Sequence, residues 1–309
     1  MMKIMKFLLL LACLAILLSC TDSTQMPELA KPGAVSGESL TIAILPERNV
    51  FEQKKKYRPL ADYLSKTLGV NVKIKLLDSY GAIYDEIEHG TIDGAFFGSY
   101  NYVLAKARAD IEPIARPVDA EGKSNYRGII FTRADSGLTR KVSTWRGKRI
   151  ALVHEVTTAG YIFPKWYLSQ QGIGDFKRHF SRIIFAGSHD AAILAVMKGQ
   201  ADLGTAKDTI YMSLLAENPA VQQEMLILAE SIEVPANTLC LRIGLSPALK
   251  GGLKRELLGM HMNPDGQRVL AGLGAAAFRE THDSEYDALR EMTKALAIDL
   301  AAQPPRSRR

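Results

Sequence analysis

Two stretches of this chain repeat one plan at one spacing. Ser79-Tyr80-Gly81-Ala82 opens a helix-length segment that ends at Gly90-Thr91-Ile92-Asp93. Ser188-His189-Asp190-Ala191 opens another that ends at Gly199-Gln200-Ala201-Asp202. From Ser to Asp the interval is 14 in both, 79 to 93 and 188 to 202. A Gly-x-apolar-Asp turn often joins a helix to a strand. Its recurrence at matched spacing points to two similar lobes.

The flanking pattern agrees. Short apolar runs (40–45, 72–76, 95–97) alternate with amphipathic stretches of helical period (55–68, 82–88, 100–108). A second series follows, with runs at 149–153, 182–185 and 202–205 and helical stretches at 159–169, 191–197 and 209–215. Strands alternating with helices imply βαβ units and mostly parallel sheets. The segment 233–243 reads as a strand crossing back, and three helices follow, at 247–260, 264–271 and 286–301. The expected fold is α/β, two doubly wound lobes joined by a two-strand hinge. Residues 39–134 form the first part of lobe 1, 135–234 form lobe 2, and 235–301 form the hinge return with the rest of lobe 1. Ligands of such sheets bind beyond the carboxyl ends of strands, where helices begin.

The N-terminus sets the expected compartment. Lys3 and Lys6 precede an uncharged apolar run from Phe7 to Leu18. Such a run is too short to span a bilayer and reads as the core of a signal peptide, residues 1–19. Leu17-Leu18-Ser19-Cys20 resembles the bacterial lipoprotein box, which implies lipid on Cys20. Residues 20–38, rich in Ser, Thr, Pro and Gly, read as a tether. The expected location is the periplasm or another extracytoplasmic face, with the chain held to a membrane. Residues 302–309 read as a disordered tail.

The net charge of +6 is not a nucleic-acid footprint. Lys3 and Lys6 leave with the leader, and Arg306, Arg308 and Arg309 lie in the tail, so the folded body is nearly neutral. Of the three cysteines, Cys240 alone remains in the body, so no intrachain disulfide is available. Its setting in Thr238-Leu239-Cys240-Leu241-Arg242 reads as a core strand. The six histidines show no metal-ligand spacing. Ser188-His189-Asp190 is no triad, because neighbours at a helix start point in different directions. Lys54-Lys55-Lys56 reads as a solvated helix face. No cofactor motif, metal site or catalytic pair emerges.

Candidate binding residues therefore lie at helix starts. In Val153-His154-Glu155-Val156-Thr157-Thr158-Ala159-Gly160-Tyr161 a strand gives way to a helix near Thr158. Small residues at such a turn let backbone N–H groups approach an anion, the helix dipole favours it, and Thr157 and Thr158 add hydroxyls. A simple threonine cap fits the same residues. Ser99, after Gly98, is an opposing cradle or an ordinary cap. Tyr80 and His189 open equivalent helices, and Tyr126 precedes an apolar strand. Asp190 and Asp208 would repel a bare anion unless they accept a proton from it or bind a cationic group. Capping fits them equally.

In order along the chain, Thr41-Ile42-Ala43-Ile44-Leu45-Pro46, Tyr57-Arg58-Pro59-Leu60-Ala61-Asp62-Tyr63-Leu64, Asp78-Ser79-Tyr80, residues 90–98, residues 187–192 and Gly199-Gln200-Ala201-Asp202 resemble the phosphonate-binding proteins of ABC importers. That family includes phosphite and phosphate binders. The resemblance implies a type II periplasmic-binding fold, a ligand gripped at Thr157-Thr158-Ala159-Gly160, and closing tyrosines of the first lobe at Tyr80 and Tyr126. It implies His189 and Asp190 completing the pocket, with Asp208 a further polar residue facing the ligand. Ala159 stands where the family commonly has a third hydroxyl. The implied protein is a monomeric solute-binding protein that delivers a small phosphorus oxyanion to an ABC permease. A sensor that reports the oxyanion to a membrane kinase is the alternative. Phosphate, phosphite, methylphosphonate, aminoalkylphosphonates and arsenic analogues all stay open.

Overall fold

A computed structural model describes residues 39–217 and 223–302. The expected signal peptide, the tether with Cys20, and the tail from 303 onward lie outside the described residues.

Lobe 1 begins with β1 (Ser39–Ile44), α1 (Val50–Leu68), β2 (Asn71–Leu76), α2 (Ala82–Glu88), β3 (Gly94–Phe97), α3 (Ser99–Lys106) and β4 (Ile111–Val118). The chain then crosses to lobe 2. There it forms β5 (Asn125–Arg133), β6 (Arg149–Leu152), α4 (Phe163–Gln170), α5 (Phe176–His179), β7 (Arg182–Phe185), α6 (His189–Met197), β8 (Leu203–Lys207), α7 (Asp208–Glu217) and β9 (Met225–Pro235). It returns through β10 (Thr238–Arg242) to α8 (Pro247–Gly259), α9 (Pro264–Leu273), β11 (Ala277–Glu280) and α10 (Asp287–Ala295).

The first sheet runs β11-β4-β10-β3-β1-β2 and the second β7-β6-β8-β5-β9. In each, a parallel triplet (β2-β1-β3, β7-β6-β8) is followed by an antiparallel strand that the crossing delivers, β10 in one lobe and β5 in the other. The expected two-lobed α/β plan is therefore present. The first boundary moves, however. β5 pairs with β8 and β9, so the crossing precedes residue 125 instead of following 134. Tyr126, expected on lobe 1, consequently belongs to lobe 2. The returning strand is also two strands, broken at Ala236 and Asn237.

The 14-residue echo has a physical basis. Ser79 Oγ accepts from Ala82 N–H, and Ser188 Oγ from Ala191 N–H, each at 3.3 Å. Asp93 accepts from Thr41 N–H, and Asp202 from Arg149 N–H, each at 2.8 Å. An equivalent serine starts α2 in lobe 1 and α6 in lobe 2, and an equivalent aspartate holds the beginning of β1 and of β6.

Apolar residues of β1, β2 and β10 pack beneath α1, α8 and α9, while β5, β6 and β8 of lobe 2 pack against α4 and Trp145. A further cluster joins the lobes through Tyr80, Tyr100, Val153 and Ile193. Cys240 is fully buried in β10, as its sequence setting predicted, and burial pushes its thiol pKa well up. Among the described residues no helix is long and apolar enough to cross a membrane, and no group of three or more His, Cys, Asp or Glu could hold a metal.

Candidate functional site

The carboxyl ends of β1 and β3 in lobe 1 face those of β6 and β8 in lobe 2. After β6 the chain makes a π-helical turn, Thr158–Ile162, in which Ile162 N–H reaches Thr157 C=O at 3.1 Å, and this turn runs directly into α4. Turns of this kind recur at functional sites. The first N–H groups of such a turn have no partner within the helix, which suits them to an anion. Gly160 is required there. A Cβ would lie 2.5 Å from Thr157 Oγ1 and against the Val153 side chain.

The two threonines differ in role. Thr157 Oγ1 donates to His154 C=O at 2.7 Å and so stabilises its own turn. Thr158 Oγ1 accepts from Tyr100 N–H at 3.0 Å, across the cleft. The same hydroxyl also hydrogen-bonds with the Tyr126 side chain. Ala159 is buried and packs with Tyr126 and Val234, while β5 presses close at Gly128. Ser99 opens α3, but its hydroxyl donates to Pro235 C=O at 2.6 Å and ties α3 to the hinge.

Tyr80 sits at the centre. It is 2 % exposed, and its hydroxyl has no hydrogen-bond partner among the described residues. Its ring lies 5.8 Å from that of His154 and 6.4 Å from that of His189, one on each side of lobe 2's strand ends. Burial pushes the Tyr80 pKa well up, so the phenol stays protonated and is a donor in waiting. Burial likewise raises Tyr126, opposed by Lys207 and by hydrogen bonds with Thr158 and Ser99.

His189 is 1 % exposed, and burial followed by the nearby Lys207 lowers its pKa to about 3. Lys207 N–H donates to its Nδ1 at 3.2 Å. The neutral ring therefore carries its proton on Nε2. Burial also lowers the pKa of His154.

Two residues absent from the sequence expectations complete the site. Lys207 Nζ pairs with Glu47 across the cleft, donates to Asn237 Oδ1 at 2.6 Å, and lies 4.6 Å from the Tyr126 ring centroid. Burial would raise the Glu47 pKa, but Lys207 outweighs it and holds the carboxyl below its usual value. The sequence signal was available. Glu47 lies just beyond β1 and Lys207 ends β8, both at carboxyl ends of strands.

The lobes meet through further bonds from the loop after β1. His189 N–H donates to Glu47 C=O at 3.1 Å, and Asn49 N–H to Asp190 Oδ2 at 3.0 Å. Asp190 also accepts from Ala191 N–H and Ser188 Oγ, so it works as a cap and an interlobe clasp. Asp208 accepts from Thr209 N–H at 2.7 Å and opens α7. Tyr80, Tyr126, Thr158, Gly160 and His189 thus converge, while Thr157, Ser99, Asp190 and Asp208 have structural partners of their own.

Residues 42–286 match the family described as ABC transporter, phosphonate, periplasmic substrate-binding protein. The chain belongs to that family. Its members are substrate-binding transport proteins and not enzymes, and the family is periplasmic. The phosphate-import protein PhnD of Mycolicibacterium smegmatis is 30% identical over 207 residues, covering 64% of this chain and 64% of that protein, so just under two thirds of the relative is spanned. The phosphonates-binding periplasmic protein of Escherichia coli is 24% identical, over 82% of this chain and 76% of its own. The structure of PhnD1 from Prochlorococcus marinus, in complex with methylphosphonate, superposes with a TM-score of 0.76 at 21% identity, covering 84% of this chain and 98% of that one. That likeness gives the phosphonate-binding family's fold, the type II arrangement expected from the resemblance.

Proposed function

We propose that this protein captures a small phosphorus oxyanion, a phosphonate, phosphite or phosphate, in the interlobe cleft and delivers it to an ABC permease. One observation carries the reading: the Tyr80 hydroxyl, buried without a partner among the described residues, in a cleft it shares with the N–H groups and the Thr158 hydroxyl of the 158–162 turn. Tyr80, Tyr126, the turn Thr158-Ala159-Gly160 and neutral His189 supply donors for the oxyanion. Lys207 supplies positive charge, and Thr157 shapes the turn. The relatives named for phosphate import and for phosphonate binding support this ligand class.

Cys20, behind its lipoprotein box, anchors the mature chain to the membrane through lipid, and residues 20–38 give the folded body reach. A Cys20→Ser protein should lose its partition into detergent. Full retention would remove the anchor from the reading.

The ligand assignment is tested by thermal unfolding with methylphosphonate, phosphite, phosphate and sulfate. A ligand at a hundredfold excess over its Kd stabilises the native state by about 2.7 kcal/mol. A shift with at least one phosphorus compound and none with sulfate is expected. No shift with any of the three overturns the assignment.

A further inference from the structure

A cleft of about 340 Å³ opens between the lobes beside the hinge. Glu47, Tyr126, Lys207 and Asn237 line it. These residues also wall the candidate oxyanion site, so the Lys207–Glu47 pair forms a partition between the buried site and the outer cleft.

The outer wall is positively charged. Arg48, Lys56, Lys123 and Lys207 line the cleft against two carboxylates, Glu47 and Asp119. Glu47 and Lys207 cancel each other. Arg48 is committed to Glu217 and Ser213. Asp119 accepts from the N–H groups of Glu121 and Lys123. Lys56 and Lys123 have no ion-pair partner among the described residues, and they face the cleft from α1 and from the crossing before β5. Gln53 adds an independent sign of an occupant. It is 5 % exposed, its Nε2 donates to Leu45 C=O at 2.7 Å, and its buried Oε1 has no partner among the described residues. Buried amide oxygens are ordinarily satisfied.

We propose that this cleft is the outer half of the ligand site, and that it takes the organic group of a phosphonate bearing a second acid such as a carboxylate. Lys56 and Lys123 meet that acid. Gln53 Oε1 accepts an O–H or N–H from the substituent or from water held with it. Lys207 lies between the two halves and is shared by both anionic ends. The inference rests on the oxyanion reading and adds length and charge to it.

Calorimetry on the whole folded chain tests it with methylphosphonate, phosphonoacetate, 3-phosphonopropionate, 4-phosphonobutyrate and 2-aminoethylphosphonate. At least one phosphonocarboxylate should bind about tenfold or more tighter than methylphosphonate, and the amine should show no such gain. Lys56→Met with Lys123→Met should abolish the gain and leave methylphosphonate within about twofold. Both lysines are at the surface of their elements, so the fold should tolerate the change. Methylphosphonate binding with no gain for any acid, a gain that survives the double substitution, or a larger gain for the amine each overturns the inference alone. Failure of all five compounds overturns the inference, and the oxyanion reading falls with it only if phosphate and phosphite also fail to bind.

Discussion

Lys207 at the end of β8 and Glu47 beyond β1 form an ion pair across the cleft, with side chains only 8 % and 16 % exposed. Opening the lobes separates the two charges into water, so the pair contributes to closure specifically. Removing one partner of a buried pair leaves the other uncompensated, at roughly 3–5 kcal/mol, whereas removing both is often neutral. Ligand-free Lys207→Met should therefore open, with a larger radius of gyration in small-angle scattering. Adding Glu47→Gln should return it toward the wild-type value.

Tyr80→Phe should separate binding from stability. The hydroxyl has no partner among the described residues, so chemical denaturation should show stability unchanged or raised by up to about 1 kcal/mol. Methylphosphonate affinity should fall by roughly 1.5–3 kcal/mol, as for a lost hydrogen bond to a charged group. Calorimetry checks both the loss and its size.

The paired threonines should not behave alike. Thr158→Val removes the acceptor of Tyr100 N–H and a donor to the anion, while Thr157→Val removes a bond to His154 C=O inside the turn. Affinity for methylphosphonate should fall further in the Thr158 variant, and stability should fall in the Thr157 variant by about 1 kcal/mol. Equal losses of affinity would place both hydroxyls on the ligand.

How much of this was legible in the sequence follows from how local each signal is. The Ser79-to-Asp93 and Ser188-to-Asp202 echo was legible because one helix and one turn generate it, and the bonds of those residues explain the spacing. Tyr80, Thr158, Gly160 and His189 were legible as residues at helix starts. The Glu47–Lys207 pair was not, because its partners are 160 residues apart and each alone looks like a charge at a strand end. The lobe boundary at β5 was misplaced for a similar reason: the apolar centre of strand 125–133, Ile129-Ile130-Phe131, would suit either lobe, and only its pairing with β8 and β9 assigns it.

His189 makes stability depend on pH. Its folded pKa of about 3 lies below the ordinary value of 6.5, so the unfolded chain binds more protons between those limits. Stability is fully present above pH 6.5 and falls as pH drops toward 3, at no more than about 1.4 kcal/mol per pH unit from this group. Glu47, with a carboxyl held below its ordinary value of 4.5, contributes in the same direction only below that value. Between pH 6.5 and 5, His189→Asn should flatten the decline seen in thermal unfolding. His154 and His179, also lowered by burial, account for the slope that remains.

Gly160→Ala should damage the turn itself. The added methyl meets Thr157 Oγ1 and the Val153 side chain, and overpacking of this kind costs about 1–3 kcal/mol. Denaturation should report that loss, and methylphosphonate affinity should fall with it because the N–H groups of residues 158–160 shift.

The central claim is that a phosphorus oxyanion seats between the 158–162 turn and Tyr80. A crystal structure with methylphosphonate tests it most directly. The account predicts phosphonate oxygens within hydrogen-bonding distance of Tyr80 Oη, Thr158 Oγ1 and the backbone N–H groups of the turn. A phosphonate bound elsewhere, with the Tyr80 hydroxyl still unpartnered, would contradict it.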